Sequence, residues 1–344
     1  MNTISQKKPQ YPISKRLHGF LEEYGRLQDI PVRYSDLTHY TSSFPLYDKA
    51  GIDTLWESLI YPQSDIEELN KGLSKIYALL RTDGRNEVME HLKVDRIDYC
   101  PFGNSNPFRV RIVNKYNDNY DYFYVKKNDA SRIYGLELEH LTSPNRIHYL
   151  MDGDTLIEEH IPGVPGDQFI TTYLGNEHIY INETRLAKEF VKFNERTFMR
   201  LLGDMRSYNF VIDVTPDFDD VQYRIRAIDF DQQSYEGRKS MYLPQYFKEN
   251  FPIVEMCMNR LNPETVSQYQ KEERSLTARR VKFIRHRTKD LVEVMLRDQL
   301  STKDKVIELR EQLADHYKVS KFLKCNGMGQ LVRRSLFYNL KDYL

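Results

Sequence analysis

The chain has 344 residues, enough for one large domain or two smaller ones, and its apolar fraction is ordinary for a packed core. Lys and Arg number 50 and Asp and Glu 50, so no net charge recruits nucleic acid or a membrane surface. The three cysteines, Cys100, Cys257 and Cys325, are too far apart for zinc spacing or a disulfide framework, and no run of about 18 apolar residues exists to span a bilayer.

The N-terminal residues are polar and lack an apolar signal core, so a reducing, cytoplasmic setting is expected. Residues 1–15 read as a tail. Residues 29–63 carry Pro31, Pro45 and Pro62 and read as irregular, with a short helix around Ile52 to Leu59. Ser64 is placed to cap a helix on which Ile66, Leu69, Leu73, Ile76 and Leu80 recur at helical spacing, with Asp83-Gly84 as its stop. From Val94 the pattern turns to strands: Arg96 to Cys100, then Phe108, Val110 and Ile112 alternating with Arg109 and Arg111, then Tyr120 to Lys127. The turn between the first two, Pro101 to Pro107, holds one glycine, Gly103. A helix follows from Ala130 to Leu141 and carries Glu137 and Glu139; then Asp152-Gly153-Asp154 closes a hairpin, which runs through Glu159 to Ile161 into a Pro/Gly linker.

A helix over 182–202 feeds the stretch on which the functional reading depends, LLGDMRSYNFVID and then YRIRAIDFDQQ. Asn209 stands five residues after Asp204 and opens an apolar strand; a Pro/Asp turn follows, and a second strand ends on Asp229. That layout brings Asp204, Asn209 and Asp229 to one edge of a hairpin. Asn209 and Asp229 offer hard oxygen ligands that suit Mg²⁺, with Asp231 as further help, and Asp204 is left to accept a proton from an attacking hydroxyl. Acidic and amide residues are also ordinary turn formers that need no metal.

Asp-x4-Asn, a hairpin and a second Asp resemble the catalytic core of the protein-kinase-like superfamily, nearest the aminoglycoside phosphotransferase, choline kinase and lipopolysaccharide kinase branches. The resemblance covers about residues 94–235. It implies an α+β, two-lobed fold: a helical or irregular N-terminal extension over 1–90, a small antiparallel-sheet lobe over 91–161, and a mostly helical large lobe over 162–344 with a helical C-terminal region. It implies ATP and Mg²⁺ as cofactors and a hydroxyl-bearing acceptor as the second substrate. In it, the turn at Gly103 lies over the phosphates; Lys126 or Lys127 reaches them, braced by Glu137 or Glu139; Lys126, behind Val125, and Glu137 are preferred. Backbone groups from Glu159 to Ile161 would meet adenine, and Arg206 would neutralise a transferred phosphoryl group or pair with a local acid.

The chain departs from the pattern at Leu202, where a histidine or tyrosine usually stands, and in its thin glycine turn. A pseudokinase-type nucleotide-binding scaffold is therefore the rival reading. Residues 271–289 form a basic run, read first as a solvated face and second as a site for an anionic ligand; zero net charge speaks against nucleic acid.

Overall fold

A computed structural model describes residues 8–48, 50–82, 91–176, 178–218 and 220–344. The expected stop at Asp83-Gly84 and the first part of the tail lie outside these residues. The chain is α+β, and it divides into two compact units. One comprises the residues up to Ile13, His18–Asp129 and Ile147–His160; the other comprises Ser14–Leu17, Ala130–Arg146 and Ile161–Leu344.

After a first helix, α1 (Lys15–Glu23), the first unit is built on a seven-stranded antiparallel sheet: β1 (Ser42–Tyr47), β2 (Asp53–Ile60), β3 (Leu92–Tyr99), β4 (Phe108–Asn114), β5 (Tyr120–Lys127), β6 (Tyr149–Asp152) and β7 (Thr155–Glu159). Their order across the sheet is β1-β2-β3-β4-β5-β7-β6. The helix expected around Ile52 to Leu59 is therefore a strand. Ser43 pairs with Leu59 and Pro45 with Glu57, and the turn is fixed by Asp48, whose carboxylate accepts from the amides of Ala50 and Ile52 at 2.8 Å each. Thr54 and Trp56 sit comfortably on a pleated surface, and pairing with a neighbouring strand outweighs the weak helical spacing. β1 and β2 lengthen the sheet. Helix α2 (Gln63–Arg81) starts after Pro62 without a side-chain cap, so Ser64 is not the cap; its hydroxyl bonds Asp65 instead. Leu69, Leu73 and Ile76 of α2 join Ile97, Phe108, Val110, Ile112, Phe123 and Val125 of the sheet in one apolar cluster. These strand residues alternate in period two, which buries one face and leaves the polar neighbours on the other.

Beyond Ser14–Leu17, the second unit begins with α3 (Ala130–Thr142), buried almost throughout its length. After His160 the chain makes a short strand, β8 (Val164–Pro165), and a single helical turn, α4 (Gly166–Gln168), then α5 (Glu183–Arg200) and a hairpin, β9 (Phe210–Asp217) and β10 (Asp220–Ala227). β8 pairs with β9, giving a three-stranded sheet in the order β10-β9-β8. Asn182 caps α5 by accepting from the Arg185 amide. Leu186, Phe190, Phe193 and Phe198 bury its apolar face. The remainder is helical: α6 (Phe251–Arg260), α7 (Pro263–Phe283), α8 (Arg285–Met295), α9 (Lys303–Tyr317) and α10 (Met328–Leu340). From β3 to β10 the order of elements is the one the resemblance implies.

Candidate functional site

The candidate site lies in the second unit, where α5 gives way to the β9–β10 hairpin. Leu201 ends α5 in the left-handed conformation, with φ +56°. The loop after it is strapped to the segment that follows Asp231. Leu202 bridges Gln233, the Gly203 amide donates to the Gln232 carbonyl at 3.2 Å, and the Ser234 amide to the Leu201 carbonyl at 2.8 Å. A Cβ at Gly203 would stand 3.1 Å from that Gln232 carbonyl oxygen, which explains the glycine. Leu202 is wholly buried, so the position at which the sequence departs from the pattern it resembles is core here.

Asp204 itself is left-handed, with φ +60°, a conformation that costs a non-glycine residue about 1–2 kcal/mol. The loop offsets this with three backbone bonds. The Asp204 amide donates to the Met241 carbonyl at 2.9 Å, and the Asp204 carbonyl accepts from the Arg206 amide at 2.8 Å and from Asn209 Nδ2 at 2.7 Å. Asn209 thus locks the backbone of the residue five places before it. The Ile228 amide donates to the Asn209 carbonyl at 3.0 Å, so Asp229 begins where the ladder of the hairpin ends, beside Asn209.

The charges form two sets. In the first, Arg206 Nε donates to Asp204 Oδ1 and its Nη1 to Glu249 Oε1, each at 2.8 Å, while the guanidinium lies over the Phe247 ring. Burial pushes the Asp204 carboxyl above the ordinary aspartate range; the Arg206 bond and charge pull it partly back, and Glu236 and Glu249 add to the rise. In the second, Arg132 of α3 donates from Nε to Asp231 Oδ1 and from Nη2 to Asp229 Oδ1, each at 2.7 Å; its side chain is only 3 % exposed, against 30 % for Asp229 and 8 % for Asp231. The Asp231 amide also donates to Asp229 Oδ1. Gly135, one turn along α3, permits this approach, since a Cβ there would meet the Phe230 Cβ at 2.8 Å.

The other sequence-derived residues have these places. In the first unit Lys126 is buried and Lys127 exposed, on opposite faces of β5. Lys126 Nζ donates to Glu158 Oε2 at 2.7 Å, across the β5–β7 ladder. In the second unit Glu137, fully buried, receives both arms of Arg287 at 2.7–3.1 Å, and Glu139 is ion-paired with the buried Arg200. Each member of the expected Lys126–Glu137 pair therefore has another counterion within its own unit, and the same holds for Glu139. The cause is burial: a charge removed from water takes the nearest opposite charge its own packing presents. The turn of Gly103 is closed by the Cys100 amide on the Pro107 carbonyl, and its Asn106 carbonyl accepts from the Tyr34 hydroxyl at 2.9 Å. Glu159 pairs in the sheet and accepts from the His148 amide, and the division between units falls between His160 and Ile161. In the basic run, Arg274 bonds Glu195, Arg280 bonds Glu273 and the Thr142 carbonyl, and Arg287 bonds Glu137, so these three arginines hold the helices together.

Sequence reasoning missed Arg132, Glu158 and Glu249. The only sequence signal for Arg132 was its presence in the first turn of a largely apolar helix. A charge there must find a partner if the helix is buried. Asn209 and Asp229 form a donor set that fits a hard divalent ion. The Asn209 amide nitrogen is used on Asp204, which directs its carbonyl oxygen the other way, and Asp229 adds carboxylate oxygen. Among the described residues no cluster of three or more His, Cys, Asp or Glu is arranged to hold a metal ion, and no helix is long and apolar enough to cross a membrane.

No protein-family model and no curated sequence matches the chain. Among solved structures, it is similar to the autoinhibited serine kinase domain of the giant muscle protein titin, at 16% identity over 54% of this chain and 71% of that one, with a TM-score of 0.28.

Proposed function

We propose that the chain is an ATP- and Mg²⁺-dependent phosphotransferase that moves the γ-phosphoryl group to a hydroxyl of a small molecule or of a protein substrate. The observation that carries this reading is the Asp204–Asn209 unit: an aspartate held left-handed by its own backbone bonds, with Asn209 clamping it and Asp229 at the adjoining end of the hairpin. In this reading the acceptor O–H gives its proton to the Asp204 carboxylate as the new O–P bond forms and the bond to the departing ADP oxygen breaks. The raised proton affinity of Asp204 brings it closer to the range where a base is effective, and Arg206 holds the carboxylate in one orientation. Asn209 and Asp229 would hold the divalent ion, which when bound neutralises charge on phosphate oxygens. Lys126 as phosphate contact, the Gly103 turn as phosphate cover and the backbone from Glu159 to Ile161 as adenine contact are roles carried by the resemblance. Incubation with ATP, Mg²⁺ and panels of sugars, amino alcohols and basic peptides tests it; ADP should form with some acceptor and cease in Asp204→Asn.

A second reading, a nucleotide-binding module without turnover, is favoured by one observation: Arg132 already ion-pairs with both Asp229 and Asp231. Thermal-shift titration separates the two. A ligand at 100 times its Kd stabilises by about 2.7 kcal/mol. A shift with ATP and no ADP from any acceptor would support the module; no shift with or without Mg²⁺ would remove both readings.

A further inference from the structure

The acidic motif holds its own cation. Asp229 and Asp231 are two residues apart, and a guanidinium spans them, one nitrogen to each carboxylate at 2.7 Å. Two carboxylates this close repel one another unless a positive charge is placed at both. In a site built only for metal ions that charge is supplied by the ions. Here α3 supplies it, and the side chain that does so is 3 % exposed.

Arg132 is not poised to leave. Its fork is planar, permanently charged and weakly hydrated, which suits a buried site, and withdrawing it would strand a buried charge on one side and two carboxylates on the other. It is anchored at the helix start, and Gly135 and Glu137 fix the same helix against Phe230 and Arg287. A divalent ion bound through Asn209 and Asp229 must therefore share Asp229 with Arg132, since Asp229 Oδ1 already accepts from Arg132 and from the Asp231 amide. Asp231 is held by Arg132 Nε at 2.7 Å.

We infer that Arg132 is a resident cation that takes the place of a second metal ion, so that this site binds one divalent ion where a bare Asp229/Asp231 pair would bind two. The inference rests on the phosphotransferase reading of the site. Arg132 is a positioning residue in it: it touches Asp229, the acid that would hold the ion, and sets that carboxylate's orientation.

The experiment is Mn²⁺ titration of the full chain with one equivalent of AMP-PNP, read by the loss of the free-Mn²⁺ electron paramagnetic resonance signal beyond that of an AMP-PNP blank, the nucleotide-carried ion being counted as the first when the protein tightens its binding. Wild type should bind one ion per chain. Arg132→Met should bind Mn²⁺ at least 10-fold more tightly or take a second ion. Asp231→Asn should leave the count at one, because that carboxylate is already committed to Arg132, whereas Asp229→Asn should lose the ion. Two ions on wild type, or identical count and affinity in Arg132→Met, would overturn the inference while leaving the phosphotransferase reading in place. No ion on wild type would instead remove that reading. Should Arg132→Met fail to fold, the wild-type and Asp231→Asn counts still decide: two ions falling to one would identify Asp231 as a ligand and overturn the proposal.

Discussion

At Asp204, position and proton affinity come from different neighbours, and they can be perturbed separately. Its backbone is fixed by Met241, Arg206 and Asn209, whereas its carboxyl answers to burial and to the Arg206 guanidinium. Asp204→Asn should keep the fold and lower kcat by about 10²–10⁴-fold, the range for loss of a general base, measured as ADP release. The pH dependence has a definite sign. Burial raises the Asp204 pKa, so the acid limb of kcat/KM should lie above the ordinary aspartate range. Arg206 favours the ionised form, so Arg206→Gln should move that limb to still higher pH. A limb that stays in place would show that another group controls the profile. The same separation applies to β5: Lys126→Met should weaken ATP binding if Lys126 contacts phosphates, and Lys127→Met, on the opposite face, should not.

Among the elements, α3 carries the most consequence. Its apolar residues are core, yet three of its charged residues find opposite charges in distant stretches of the second unit: Arg132 at Asp229 and Asp231, Glu137 at Arg287, Glu139 at Arg200. Glu137→Ala would leave Arg287 without its bidentate partner. Breaking a buried pair in this way costs about 3–5 kcal/mol. Urea denaturation should show that loss, and nucleotide affinity corrected for stability should stay near wild type; the reverse result would support the phosphate-bracing role for Glu137. Gly135→Ala places a Cβ against Phe230 and should cost about 1–3 kcal/mol by overpacking. The strands β3 to β5, the helix after them and the β9–β10 hairpin were legible in the sequence because each carries its periodicity locally. The β1–β2 hairpin was not, since Thr54, Trp56 and Leu59 allow either spacing until a partner strand is present. The ionic partners were not legible either. They are set by packing, and the residues involved lie 32 apart for Lys126–Glu158, 97 for Arg132–Asp229 and 150 for Glu137–Arg287.

On the scale of the whole molecule, the chain passes from one unit to the other at more than one point. Residues 130–146 belong with 161–344, although strands of the first unit lie on either side of them in sequence. Cutting at the boundary expected near residue 161 therefore removes α3 from the unit it completes. A fragment of residues 161–344 should fail to fold, because Asp231, Arg200 and Arg287 would lose the charges that pair with them. Loss of cooperative thermal unfolding in circular dichroism would show it; a fragment melting like the intact protein would contradict it.

The handedness and pitch of one helix thus govern how the acidic pair is presented. Successive residues of an α-helix are rotated by about 100°. An alanine inserted between Arg132 and Glu137 would swing one anchor away while the other stayed seated, and no single side-chain adjustment could restore both. The phase of α3 is in effect a combination that opens only when every tumbler aligns, so this segment should tolerate exchange of its apolar side chains far better than any change in its length.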